Sequence, residues 1–209
     1  MTQSFISKLK QRLALPLPGE DSHHKMRPVS LNSNGLRFKN PPDPRKGAVL
    51  ILFYEEQGIL RFPLIQRPVY EGVHSGQMAL PGGRMEPSDK DLIETALRET
   101  NEEIGLPPDP IEILGQLSSF MVAASNHLVL PVVGFFHEAP KFIPDHKEVA
   151  EVVPVALDDL VDERNVKRTT IEVGNRYQLD SPYFDLENKI VWGATAGMLS
   201  ELKEVIRTI

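Results

Sequence analysis

An α/β fold, a mixed sheet with helices on both faces, follows from three observations. Residues 48–54 form a continuous apolar run of strand length, as expected for a strand buried on both sides. Strand-like segments stand both before and after residues 89–104, where Leu92, Ile93, Ala96, Leu97 and Ile104 repeat at helical spacing. A second amphipathic stretch, residues 192–207, carries Leu199, Leu202, Val205 and Ile206 on one side.

The elements are expected as follows. Residues 1–15 form an amphipathic helix rather than a targeting signal: Phe5, Ile6, Leu9 and Leu13 repeat helically among Lys8, Lys10 and Arg12. Pro16, Pro18 and Gly19 end it. Residues 16–46 are rich in Pro, His, Asn and Ser, with Pro41, Pro42 and Pro44 enforcing an extended path. They read as an arm wrapped over the domain or over a second copy of the chain, anchored by Leu31, Leu36 and Phe38. A homodimer that exchanges the arm is one expectation. His23 and His24, adjacent in this polar arm, read as structural noise or a weak adventitious metal site. The organisation is therefore helix and arm over 1–46 and the domain over 47–209.

Within the domain, Gly58 turns the first strand into a second at 60–66. A short strand at 77–80 leads into Leu80-Pro81-Gly82-Gly83, a turn that lets backbone approach a ligand closely. The helix at 89–104 is expected to be capped by Ser88 or Asp89 and stopped by Gly105 and Pro107. Strands follow near 111–120, 128–136 and 149–155, then a helical turn at 158–161. A hairpin of 166–173 and 176–179 turns around Gly174-Asn175, and the last helix closes the chain.

Composition narrows the function. The 209 residues are 41% hydrophobic and 25% charged, ordinary for a globular protein. A formal net charge of −6 offers nucleic acid no broad attraction, so an anionic substrate must be met locally. No cysteine is present, which excludes thiolate chemistry and Cys-based zinc sites and suits a reducing cytoplasm. No apolar run is long enough to span a membrane.

The chemistry concentrates at residues 98–106. Glu99, Glu102 and Glu103 fall at i, i+3 and i+4, on one helix face. A bare Glu-Glu pair would read as a solvated surface. Here the triad borders a clean apolar stripe, stands beside Arg98 and follows a glycine turn. Clustered carboxylates suit a hard divalent cation, and the combination suggests metal-assisted cleavage of a polyphosphate.

Residues 83–106 resemble the Nudix box, Gly-x5-Glu-x7-Arg-Glu-U-x-Glu-Glu-x-Gly-U, where U is a bulky aliphatic. Gly83, Arg98, Glu99, Glu102, Glu103, Gly105 and Leu106 match in order. Asp89 stands for the first Glu, one extra residue separates it from Arg98, and Thr100 takes an aliphatic place. Either Asp89 or Glu94, the i−4 neighbour, pairs with Arg98. Upstream, Arg67, His74, Gly76 and Pro81-Gly82-Gly83 are similar in register to the motif of the coenzyme A pyrophosphatase branch. Glu71-Gly72 replaces the Leu-Arg of that motif, and Leu80 replaces its Phe. Residues 190–196 also resemble that branch.

The resemblance implies the α/β/α sandwich of Nudix proteins and a diphosphatase using Mg²⁺ or Mn²⁺ held by Glu99, Glu102, Glu103 and the Gly82 carbonyl. It implies that Arg98 orients the box and that Glu148 is a further acid for proton transfer. Arg67, His74, Gly76, Gly82 and Gly83 would meet the substrate, coenzyme A or an acyl derivative. Two other readings remain open: a Nudix hydrolase acting on ADP-ribose or a dinucleotide, and a non-catalytic nucleotide-binding module.

Overall fold

The structure, a computed structural model, describes residues 2–31, 43–69, 75–173 and 177–209. In chain order the elements are α1 (Thr2–Leu13), α2 (Glu20–His24), β1 (Val29–Ser30), β2 (Arg45–Glu56), β3 (Ile59–Gln66), β4 (Met78–Ala79) and β5 (Gly82–Arg84). Then come α3 (Leu92–Ile104), β6 (Ile111–Gln116), β7 (Phe120–Val122), β8 (His127–Phe136), β9 (Glu151–Ala156) and α4 (Leu157–Val161). A 3₁₀ turn at Glu163–Asn165 leads to β10 (Val166–Val173), β11 (Tyr177–Leu186), β12 (Lys189–Trp192) and α5 (Gly193–Ile206).

Strand β2 organises the molecule. It pairs in parallel with β8, from Arg45 opposite His127 to Tyr54 opposite Phe136, and antiparallel with β3 and β5. The large sheet, ordered β4-β3-β2-β8-β6 with β5, β7 and β9 joined to it, is therefore mixed. The apolar run of β2 is continuous because alternate residues serve opposite cores. Ala48, Leu50, Leu52 and Tyr54 face α3, with Ala96 and Ile104. Ile51 and Phe53 face the other way, into a core shared with Leu9 of α1, Leu160 of α4 and Leu199 and Leu202 of α5.

Several boundaries depart from the pattern-based reading. The expected strand at 111–120 is two strands, because the register shifts between Ile113 and Gly115 before β7 pairs separately with β8. Beyond the expected hairpin, β11 runs on to Leu186 and forms a second sheet with β1, β10 and β12. The expected second strand stops at residue 179, short of Ser181-Pro182. Yet Pro182 sits within the β10–β11 ladder, opposite Arg168, between exposed ion pairs.

The N-terminal segment packs against the rest of the chain. In α1, Ile6, Leu9 and Leu13 are buried at i, i+3 and i+7. Met26 is buried too, and β1 pairs with β11. Glu201 of α5 ties this segment down. Its carboxylate, fully buried, accepts from Gly19 N (3.0 Å), Ser118 N (3.2 Å) and His23 Nε2 (2.9 Å). Burial pushes the Glu201 carboxyl up, but the bonds from His23, Ser118 and Gly19 outweigh it and the net shift is downward. His23 thus has a structural partner that its sequence context did not suggest. Of the expected anchors of the arm, Leu31 is exposed rather than packed, its backbone N–H donating to Gln178 O, and Leu36 and Phe38 lie outside the described residues.

Leu9→Ala should test this packing. Leu9 is fully buried, so the substitution should cost about 3 kcal/mol and lower Tm by several degrees. A melting curve superimposable on wild type would show that α1 adds nothing to the core.

Candidate active site

Helix α3 is held at both ends. Asp91 caps its N-terminus, its side chain accepting from Glu94 N at 2.9 Å. The expected caps, Ser88 or Asp89, are displaced because the helix starts later and Asp89 is engaged elsewhere. At the far end Gly105 takes the left-handed conformation, φ 72°, and donates to Asn101 O. A Cβ there would meet Ile143 at 2.8 Å. The 142–149 loop docks at this junction: Ile143 N donates to Ile104 O and Asp145 N to Glu103 O, satisfying carbonyls that the helix end leaves open.

Arg98 gathers the acids. Its Nε and one terminal nitrogen donate to the two oxygens of Asp89, at 2.8 and 3.0 Å, a bidentate pair. Asp89, its side chain 2% exposed, also accepts from Thr95 Oγ1 and Glu86 N. The Arg98 bonds, the largest influence, hold the Asp89 carboxyl well below the usual carboxylate range. Asp89 is thus the acid paired with Arg98, while Glu94 turns back to Lys90 N at 2.6 Å. The extra residue before Arg98 is absorbed without distortion, since Asp89 precedes α3 and is not bound to its period. Arg98 also reaches Glu102 Oε2 (2.9 Å), Glu99 Oε1 (3.1 Å) and the carbonyl of Arg84 (3.1 Å). Thr100 fits its aliphatic position because its buried hydroxyl donates to Ala96 O at 2.7 Å.

The three glutamates share a helix face but not an environment. Glu102 is open to solvent, its side chain 55% exposed. Glu99 is partly buried and its carboxyl is pushed up, mainly by burial, against the pull of Arg98. Glu103 is 3% exposed and accepts Gly82 N–H at 2.8 Å. Burial raises its carboxyl to about 7; the Gly82 bond and Arg67 oppose the rise, and Glu99 and Glu148 add to it. The edge of the apolar stripe, where the helical wheel puts Glu103, is in fact covered by the glycine turn. The turn needs its glycines: a Cβ on Gly82 would come within 2.5 Å of Val49 Cα, and one on Gly83 within 2.5 Å of the Glu99 carboxyl.

Of the remaining expected residues, Arg67 is half-buried at the end of β3 and its charge acts on Glu103. Gly76, φ 66°, donates to Pro68 O at 3.1 Å. Glu148 is exposed on the docked loop, close enough for its charge to act on Glu99 and Glu103. His74 lies outside the described residues. Among the described residues, no three His, Asp or Glu side chains already converge on a cation position; Glu99 and Glu102 are turned to Arg98. The donor set nevertheless fits a hard cation. Two carboxylates of α3 whose burial disfavours their charge stand against the glycine turn. Sequence reasoning missed Thr95, the Gly82–Glu103 bond and the 142–149 dock. Only Thr95, at i+4 from Asp91, left a periodic trace.

A family profile described as the NUDIX domain matches residues 44–174. The chain is 38% identical over 179 residues to "Nudix hydrolase 15, mitochondrial" of Arabidopsis thaliana, covering 81% of this chain and 60% of that protein. It is 34% identical over 130 residues to an "uncharacterized Nudix hydrolase NudL" of Pectobacterium atrosepticum, covering 62% of this chain and 66% of that protein. The chain thus matches less than two thirds of the length of either relative. A NudL of Yersinia pestis is 29% identical over 209 residues, 99% of this chain and 97% of that protein. In fold, the chain resembles the crystal structure of a Nudix hydrolase from M. smegmatis, RenU. The TM-score is 0.54 at 20% identity, over 87% of this chain and 95% of that one. A MutT/nudix family protein from Enterococcus faecalis gives 0.52 at 19%, over 82% and 66%. No described helix is long and apolar enough to cross a membrane.

Removing Asp89 should expose the cost of the Arg98 brace. Asp89→Asn leaves the guanidinium beside a neutral amide and should cost about 3 kcal/mol. Because the folded Asp89 carboxyl lies below its unfolded value, the pair stabilises fully above that unfolded value. It is lost as the pH falls through the folded one. Denaturant unfolding from about pH 7 to 2 should therefore show a shallower acid limb in the variant than in wild type. Parallel limbs would refute the assignment.

Proposed function

This chain belongs to the Nudix family, and from that premise we propose that it hydrolyses a nucleoside diphosphate linked to another moiety, with coenzyme A or an acyl-coenzyme A as substrate. Water adds to one phosphorus and the P–O–P anhydride breaks, giving 4′-phosphopantetheine, or its acyl form, and adenosine 3′,5′-bisphosphate. The observation that carries the hydrolytic reading is Glu103. A carboxylate buried to 3% exposure against a glycine turn, raised to about 7 and flanked by Glu99, is costly for structure alone. It is suited to holding charge opposite a ligand.

In this reading Glu99, Glu102, Glu103 and the Gly82 carbonyl hold Mg²⁺ or Mn²⁺. When bound, the cation supplies charge neutralisation on the diphosphate and a more acidic water. Arg98 is a positioning residue that fixes Glu99 and Glu102 relative to Arg84 and Asp89. Glu148, exposed and close in charge to Glu99 and Glu103, accepts the proton of the attacking water. Arg67 and His74 hydrogen-bond phosphate oxygens, and Gly76, Gly82 and Gly83 let the backbone come close. Coenzyme A is favoured by the register of Arg67, His74, Gly76 and Pro81-Gly82-Gly83 with the branch motif.

Two measurements test this. Incubation with coenzyme A, acetyl-coenzyme A, ADP-ribose and a dinucleoside polyphosphate, with Mg²⁺ or Mn²⁺, should yield the two coenzyme A fragments by mass. Brisk ADP-ribose cleavage with no coenzyme A cleavage would move the substrate to the sibling class. No cleavage at all would favour a nucleotide-binding module. Separately, Glu103→Gln keeps an acceptor for Gly82 N–H and should fold, yet kcat should fall by about 10²-fold or more. Full activity at saturating Mg²⁺ would remove Glu103 from the site.

A further inference from the structure

Beside the carboxylates lies a feature that the hydrolytic reading does not use. Where β2 begins, a cleft of about 350 Å³ is lined by Arg45, Lys46 and Arg84, with Glu86 and Asp89 among its other walls. None of the three cations forms an ion pair with a described residue. Asp89 is already neutralised by Arg98, which leaves Glu86 as the opposing carboxylate. In a chain of net charge −6, three cations that line one cleft without an ion pair among the described residues form a local field opposite to that of the whole molecule.

We propose that this cleft binds a phosphomonoester carried on the same molecule as the diphosphate, an inference that rests on the hydrolytic reading above. Charge and position support it. A phosphomonoester carries roughly two negative charges and three acceptor oxygens. Arg45 and Arg84 can each meet it with a forked pair of donors, and Lys46 adds a compact charge. A neutral nucleoside or sugar would leave all three cations unanswered. Arg84 directly follows Gly83, whose Cβ position abuts the Glu99 carboxyl, and the Arg84 carbonyl accepts from Arg98. One strand, β5, therefore presents the cleft and the carboxylate cluster side by side. A substrate bearing both a diphosphate and a separate terminal phosphate can occupy both.

The test is a calorimetric titration of the whole chain, without divalent cation, against adenosine 3′,5′-bisphosphate, AMP and inorganic phosphate. Wild type should bind the bisphosphate about tenfold more tightly than AMP, the scale of one charge-assisted hydrogen bond. That preference should vanish in Arg45→Ala, Lys46→Ala and Arg84→Ala. Arg45 and Lys46 are exposed at the start of β2, so those two variants leave the core intact, which a melting curve verifies. Equal affinity for bisphosphate and AMP, a preference that survives all three substitutions, or no binding of any probe would overturn the proposal. So would inorganic phosphate binding as tightly as the bisphosphate, which would assign the cleft to free phosphate. No turnover is involved. A chain that fails to cleave coenzyme A but prefers the bisphosphate contradicts the hydrolytic reading alone, and one that cleaves it without the preference contradicts this proposal alone.

Discussion

The Arg98 guanidinium is the point on which the site depends. It joins three pieces of chain at one group: the turn containing Asp89, the middle of α3 and the end of β5. Asp89 fixes the orientation of the fork through two short bonds, which leaves the remaining donors for Glu99, Glu102 and the Arg84 carbonyl. Without this cation, the carboxylates on one face of α3 would repel one another and Asp89 would be a buried charge with only the neutral donors Thr95 and Glu86 N. The glycine turn depends on the same placement, since Gly82 and Gly83 can approach α3 only where Glu103 and Glu99 receive them.

What the sequence made legible was the part written in short-range periodicity. The apolar run at β2, the stripe of α3 and the spacing of Glu99, Glu102 and Glu103 are local patterns, and the helix and strand appear where those patterns lie. The pairing of Arg98 stayed ambiguous because two acids were within reach. Only the late start of α3 frees Asp89 from the helix and hands capping to Asp91. The degree of burial of Glu103 was not legible either. It is set by β5 folding back onto the helix from some twenty residues upstream, a contact with no local signature.

The same limit explains the second sheet and the N-terminal segment. Pro182 mimics a strand terminator, but its neighbours are held by ladder bonds to β10 and by the Arg168–Asp180 pair. His23 lies among polar residues and looks solvated, yet a carboxylate 178 positions away makes it part of the interior. Buried polar groups are specified by their partners, and partners distant in sequence leave no periodic trace.

The Glu201 clasp also bears on how the protein is made. The apolar stripe of α1 and the strands β2 and β6 that it meets are synthesised early, but α5, the rest of its seat, follows much later; His23 of α2 and Glu201 are 178 residues apart. At ordinary elongation speeds that separation corresponds to about 10 to 35 s. Throughout that interval Ile6, Leu9 and Leu13 can meet only the earlier-made part of their seat, at β2 and β6, and His23 lacks its acceptor. The first helix can therefore dock in full only after α5 has been made, however early the strands beneath it form.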